Sequence, residues 1–379
     1  MLLEVNKEEF LEKLTPMIGI ASTKNALTSL EGVLIDTSDG ENVVFTAYDM
    51  KKGMVSKQPA VSIRDGGKYI MPAQRLSQII RLLPDETFFI EIDEKMNTTV
   101  YSGSSRFSIF SVNGDNYPLT PEFHSDRSMV LPSSVLRDML SRVQHSISAP
   151  QDIRPMLCGA YFVLSRGHLK VVSCDSFTLS ICECDCEMED TGVVSIDQFD
   201  FILPGSAVSD LLRILPDSDE KITVNLARKH AIFMTPDLIF FTRFIEENYI
   251  DYERIVPRDQ EIFVEVDRVR LLEGLERANL VAEDKSSRSF VRLSVCDGVF
   301  SLSCRSVSGM VYDEVPCTHE GANLEIAFNC RYLINSVRAA NSERLRLSFK
   351  GKTQSLLIEA VDQKEGDSFL YMVLPVRTQ

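Results

Sequence analysis

The chain has 379 residues, 44% hydrophobic and 25% charged, which fits a soluble protein of two or three domains rather than one ordinary core. No stretch approaches the run of about 18 apolar residues that a membrane helix needs. A net charge of −15, taken alone, opposes nucleic-acid binding, which calls for Lys and Arg against phosphate.

The opening segment LEVNKEEFLEKL (3–14) alternates as a short strand and then switches to helical spacing at Val5, Phe10 and Leu14, with Asn6 suited to the helix start. Acidic residues arrive too early for a secretory signal. A strand is expected at VVFTAY (43–48), with turns at Asp39-Gly40 and Asp65-Gly66. YIMPAQRLSQIIRLLPDE (69–86) predicts a strand and second helix, and RFSIFSV (106–112) a further strand. The polar, Pro-containing stretch PLTPEFHSDRS (118–128) closes the segment.

The same order then returns. MVLPSSVLRDML (129–140) repeats the strand-to-helix switch 126 residues on, with Leu131, Leu136 and Leu140 on Val5, Phe10 and Leu14. YFVLS (161–165) is a strand. FILPGSAVSDLLRILPDS (201–218) places Pro204, Arg213 and Pro216 on Pro72, Arg81 and Pro84 at an offset of 132, and Asn248-Tyr249 repeats Asn116-Tyr117 at the same offset. After the linker DYERIVPRDQE (251–261), VEVDRVRLLEGL (264–275) gives a third copy, with Asp267 at the junction where Pro132 and Asn6 stand. A turn at Asp297-Gly298, a helix in LEIAFNCRYLINSVRAANSE (324–343) and a strand at RLRLSF (344–349) complete it. Ungapped matches at fixed offsets define an internal repeat. The expected architecture is α+β: three repeats, 1–126, 127–256 and 257–379, each with two helices on antiparallel sheets.

Over the six twelve-residue helix windows, twelve Lys and Arg stand against eight Asp and Glu, while the rest of the chain is strongly acidic. If these helices share one surface, Arg81, Arg137, Arg142 and Arg338 would face a phosphate backbone without reading sequence. The same charges also suit plain solvation of exposed helix faces.

Nine cysteines in no framework spacing suit reduced thiols in a cytoplasm. Cys182, Cys184 and Cys186 alternate along one strand face, which reads as buried structural thiols rather than a zinc site. No H-E-x-x-H, phosphate-binding glycine loop or G-x-S-x-G segment occurs. Neither a cofactor, a metal nor a catalytic group is expected. A hydrolase built from scattered carboxylates and a repeat-built protein scaffold are the competing classes.

Several segments carry a resemblance: SSRFSIFSV (104–112), QDIRPMLCGAYF (151–162), DYERIVP (251–257) and the C-terminal YMVLPVR (371–377). In this order, around a threefold repeat, the chain resembles the bacterial DNA polymerase III β subunit family, the replicative sliding clamps, over essentially its whole length. The resemblance implies the clamp fold and a head-to-tail dimeric ring around duplex DNA, held without sequence specificity, that gives a replicative polymerase its processivity. It implies polymerase, clamp-loader and other partners carrying short motifs, no membrane, and ring contacts at Arg106, Phe107 and Ile109 on one edge with Leu280 and Val281 on the other. DNA-facing positions carried over are Lys24, Gln151, Arg288 and Arg292. A family position that is normally basic reads Ser206 here.

The resemblance also implies an apolar peptide pocket from Leu157, Cys174, Ser176, Phe177, Thr178, Leu179, Ile250, Arg254, Ile255, Tyr332, Thr353, Ser355, Met372, Leu374, Pro375, Val376 and Arg377. The family segment Thr-Asp-Gly/Ser-His-Arg-Leu reads Cys174-Asp175-Ser176-Phe177-Thr178-Leu179, which exchanges two polar anchors for Phe and Thr.

Overall fold

A computed structural model describes residues 1–21, 28–118, 125, 127–165, 167–192, 198–282, 290–296, 298–307 and 309–377. Among the described residues six α-helices occur, at the six expected places: α1 Lys7–Met17, α2 Ala73–Arg81, α3 Ser133–Val143, α4 Gly205–Ile214, α5 Arg268–Ala282 and α6 Cys330–Ala339. Each follows a strand directly, as the switch of apolar period predicts. The capping reading also holds. The Asn6 side chain accepts the amides of Glu8 and Glu9 at 2.9 and 3.2 Å, and Asp267 accepts that of Arg270 at 2.8 Å, satisfying amides that have no partner within the helix.

The chain divides into two compact units, and the middle third is shared between them. The first unit holds residues 1–133, 189–195 and 213–244. It contains a five-stranded antiparallel sheet with strand Ser105–Phe110 at one edge, and a ten-stranded sheet. Between helix and sheets sits Phe10 of α1, wholly buried, edge-on to Phe45 at 4.8 Å and to Phe88 at 5.2 Å. The ten-stranded sheet runs without a break from the first third into the middle third, because Lys52–Pro59 pairs with Leu238–Arg243 (Val55 opposite Ile239).

The second unit holds residues 134–188, 196–212 and 245–379, around a twelve-stranded sheet. Here the middle third joins the last third by the same device: Thr178–Asp185 pairs with Asp367–Val373, with Leu179 opposite Met372. The two seams use corresponding strands at repeat-related positions. Preceding each seam is the same turn. Asp49 accepts the amides of Lys51 and Lys52, and Asp175 those of Phe177 and Thr178. Met50 and Ser176, one residue after each Asp, both adopt left-handed backbone (φ 72° and 79°).

Along Thr178–Asp185, Cys182 and Cys184 are buried on one side, as the strand period requires, and Cys186, just past the strand, is half-buried. Among the described residues no group of three His, Cys, Asp or Glu side chains is placed to hold a metal ion, and no helix is long and apolar enough to cross a membrane.

Candidate functional site

Most of the residues expected to form a peptide pocket gather at the seam of the second unit, in two layers. The floor is apolar and buried: Leu157, Cys174, Leu179 and Met372 pack with Val172, Leu357 and Tyr252, with Ile250 against them. Burial in this cluster raises the Cys174 thiol above its ordinary pKa, so it remains a neutral, small apolar group. Thr178 and Ser355 are also buried, and the Thr178 hydroxyl is spent on Asp175.

Above this floor the rim is partly open. Phe177 is 53% exposed and stacks on Tyr332 with ring centroids 5.5 Å apart and planes at 19°. Its carbonyl accepts the Leu374 amide at 2.9 Å, which fixes the C-terminal segment beside it; Val376 in turn donates to the Ala327 carbonyl at 2.8 Å. Leu374 and Ile255 are exposed, and Pro375 and Val376 half-buried. Arg254 sits exposed on the linker, paired to Asp251 at 2.8 Å. Thr353 and Arg377 are exposed; the contacts described for the floor and rim do not include Thr353.

Two features of the site had no sequence signal. Arg154 pairs with Asp152 and donates to the Ser176 hydroxyl, bracing the turn that carries Phe177. Tyr161 stacks flat on Tyr249 (4.9 Å, 5°), with Tyr252 at 6.5 Å from both, so three phenol rings anchor the linker behind the floor. The repeat marked Tyr249 by its match to Tyr117, but as a punctuation mark and not as a packing residue.

The basic positions divide sharply. Arg81 is exposed, and its guanidinium meets the hydroxyls of Ser77 and Thr15. Gln151 is exposed in a turn. Arg137 is half-buried and donates to the Leu212 carbonyl at 2.6 Å. Arg292 and Arg338 are exposed but paired with Glu325 (3.1 Å) and Glu276 (2.7 Å), so much of their charge is cancelled locally. Arg142 overturns its sequence reading. It is 3% exposed and enclosed by Asp138 and Asp367, which makes it an internal ion-pair residue unable to reach DNA. Lys24 and Arg288 lie outside the described residues.

At the edge strand Ser105–Phe110, Arg106 is exposed and lies over the Tyr101 ring at 4.6 Å, and Phe107 is partly exposed. Ile109 is 7% exposed and packs into the core, whereas its neighbour Phe110 projects outward at 79%. Adjacent strand residues point to opposite faces, so Phe110 faces away from Ile109 and Phe107. On α5, Leu280 is 75% exposed and Val281 half-buried.

Residues 1–121, 130–251 and 253–377 match the models for the N-terminal, central and C-terminal domains of the DNA polymerase III beta subunit. A beta sliding clamp of Staphylococcus epidermidis is 27% identical over 383 residues, spanning 99% of this chain and 98% of its own. The crystal structure of a DNA polymerase III beta chain from Streptococcus pneumoniae matches with a TM-score of 0.88 at 26% identity, and that of a beta subunit from Thermotoga maritima with 0.87 at 25%, each over 100% of both chains. The chain therefore belongs to the bacterial DNA polymerase III beta subunit family, the sliding clamps, which are accessory processivity factors rather than enzymes.

Proposed function

We propose that two copies of this chain, each with domains 1–126, 127–256 and 257–379, close head to tail into a cytoplasmic ring around duplex DNA. The observation that carries this reading is the reuse of one seam. Within the chain, the strand that follows an Asp turn pairs twice with the last strand of the next repeat, Lys52–Pro59 with Leu238–Arg243 and Thr178–Asp185 with Asp367–Val373. By the same correspondence one of each kind is left over. The edge strand Ser105–Phe110 ends its sheet, and residues 309–316 of strand Gly309–Glu320 pair on one side only, with Val299–Ser306. A second copy supplies the missing partner for each, and a heterologous contact of this kind closes when its rotation closes. Exposed Phe110, with Arg106 and Phe107, and Leu280 with Val281 suit such a contact.

Arg81, Gln151 and the half-buried Arg137 support a loose, sequence-independent hold on phosphate, with Arg292 and Arg338 contributing where DNA displaces their glutamate partners. Lys24 and Arg288 complete the set. The pocket at the second seam suits an extended segment of a polymerase, clamp loader or other replication protein, gripped by apolar contact with a few polar anchors. Topology then keeps the ring on DNA, and the pocket keeps the tethered enzyme at high effective concentration. The test is loading onto nicked circular DNA followed by linearisation: the ring is retained on the circle and lost from the linear form. Equal retention on both forms contradicts the proposal.

A further inference from the structure

Cys182, Cys184 and Cys186 are not alike. Cys182 is wholly buried, and burial pushes its pKa up to about 12, so it stays an inert thiol. The other two touch: the Cys184 thiol donates a hydrogen bond to the Cys186 sulfur. That contact raises Cys184 and lowers Cys186 from the ordinary thiol pKa. Cys184 is buried and Cys186 only half-buried, so thiolate character and access to solvent meet on one sulfur, with a second sulfur against it. A rise of roughly 3.3 Å per strand residue sets Cα atoms two positions apart at about 6.6 Å. A disulfide accepts that span, but prefers about 5.5–6 Å. Closing the bond therefore draws Cys186 towards Cys184 and pulls on the backbone between them. There the Asp185 amide donates to the Gly366 carbonyl at 2.6 Å and the Cys186 amide to that of Gly167 at 3.0 Å. Opposite Cys184 stands Asp367, the partner of buried Arg142.

We propose that Cys184 and Cys186 form a dithiol modification site, oxidised by a hydroperoxide to a disulfide that loosens this end of the seam. The Cys186 thiolate attacks a peroxide oxygen, the O–O bond breaks, and the departing hydroxide takes up the Cys186 proton as water. Cys186 is then a sulfenic acid. The Cys184 sulfur displaces its hydroxyl group, which leaves with the Cys184 proton as a second water. Two thiols and one hydrogen peroxide give one disulfide and two waters, and a dithiol reductant reverses the change.

The test is hydrogen peroxide treatment of the full chain, followed by peptide mass mapping before and after dithiothreitol. The peptide carrying both residues should lose two hydrogens about tenfold faster than exposed Cys296 is oxidised, and regain them on reduction. Amide hydrogen exchange at Asp185 and Cys186 should rise in the disulfide form. Cys186→Ser, a change at a half-buried position, should leave Cys184 reduced. Cys184→Ser should leave Cys186 as a sulfenic acid that a 1,3-diketone traps. Oxidation of Cys186 no faster than that of Cys296, or a loss of two hydrogens that persists in Cys186→Ser, overturns the site. A disulfide that leaves exchange unchanged overturns its link to the seam.

Discussion

Arg142 and Asp367, 225 positions apart, form a two-pronged ion pair at 2.5 and 3.2 Å that ties α3 of the middle third to the last strand of the chain. Asp138, one helical turn before Arg142, closes on it at 2.5 Å. Its two carboxylates hold the guanidinium charged despite burial and raise its pKa above the ordinary arginine value. Removing Asp367 leaves a buried cation with one partner. Asp367→Ala is expected to destabilise the second unit by about 2–4 kcal/mol, read as a lower urea midpoint. Arg142→Ala is expected to leave DNA affinity unchanged, because Arg142 does not reach the surface.

His145 lies in the same region and sets an acid limit. Its Nε2 is 3.3 Å from the hydroxyls of Ser180 and Ser336, its ring is edge-on to Tyr371, and burial pushes its pKa down to about 4. The unfolded imidazole titrates near 6.5, so between these values the unfolded chain binds the proton that the folded chain refuses. Stability is therefore complete above about pH 6.5 and falls as pH drops towards 4, by up to roughly 3 kcal/mol from this group. Denaturation midpoints measured across that range should show the loss in the unaltered chain and a shallower slope in His145→Gln.

These two residues show where sequence reading stops. Helix positions and caps were legible at Asn6 and Asp267 because period and capping chemistry are local. Arg142 was not: a basic residue in the last turn of a helix reads as solvated until the fold brings up a carboxylate from a distant strand. The correspondence of Asp49-Met50 with Asp175-Ser176 was equally hidden, since the shared property is a backbone angle and a capped turn among unlike neighbours. Phe110 and Ile109 show the same limit on a smaller scale, where one residue of strand parity decides which faces solvent. The candidate pocket was implied by the family resemblance and not by any local pattern, and its bracing by Arg154 and by the three tyrosines depends on packing alone.

The two seams also differ in a way that can be tested. Phe241 in the first seam takes the place of Met372 in the second, and opposite it stands Gly53 where the second seam has Leu179. A Cβ at Gly53 would lie 2.3 Å from the Phe241 ring, which is buried and tilted against Tyr48 at 5.7 Å. Gly53→Ala overpacks the seam against this buried ring and should cost about 1–3 kcal/mol, seen as a lower melting temperature.

Leu374 and Pro375 carry rim contacts and lie outside the buried floor, so their truncation separates binding from folding. Leu374→Ala with Pro375→Ala is expected to abolish peptide binding in anisotropy while light scattering still reports a dimer. Unchanged peptide affinity would falsify the assignment of this seam as the pocket.

The edge strand gives the sharpest test of ring closure. Phe110 is among the most exposed large apolar residues described and ends an edge strand that is paired on one side only, a combination that invites association with another chain. Phe110→Asp places a charge where the proposed contact must desolvate it, without entering the core that Ile109 occupies. Light scattering should then shift from about twice 42.7 kDa towards the single-chain mass, with melting temperature little changed. Ile109→Asp, in contrast, should unfold the first unit, because it buries an unpaired carboxylate. A dimer that survives Phe110→Asp would mean that this edge does not close the ring.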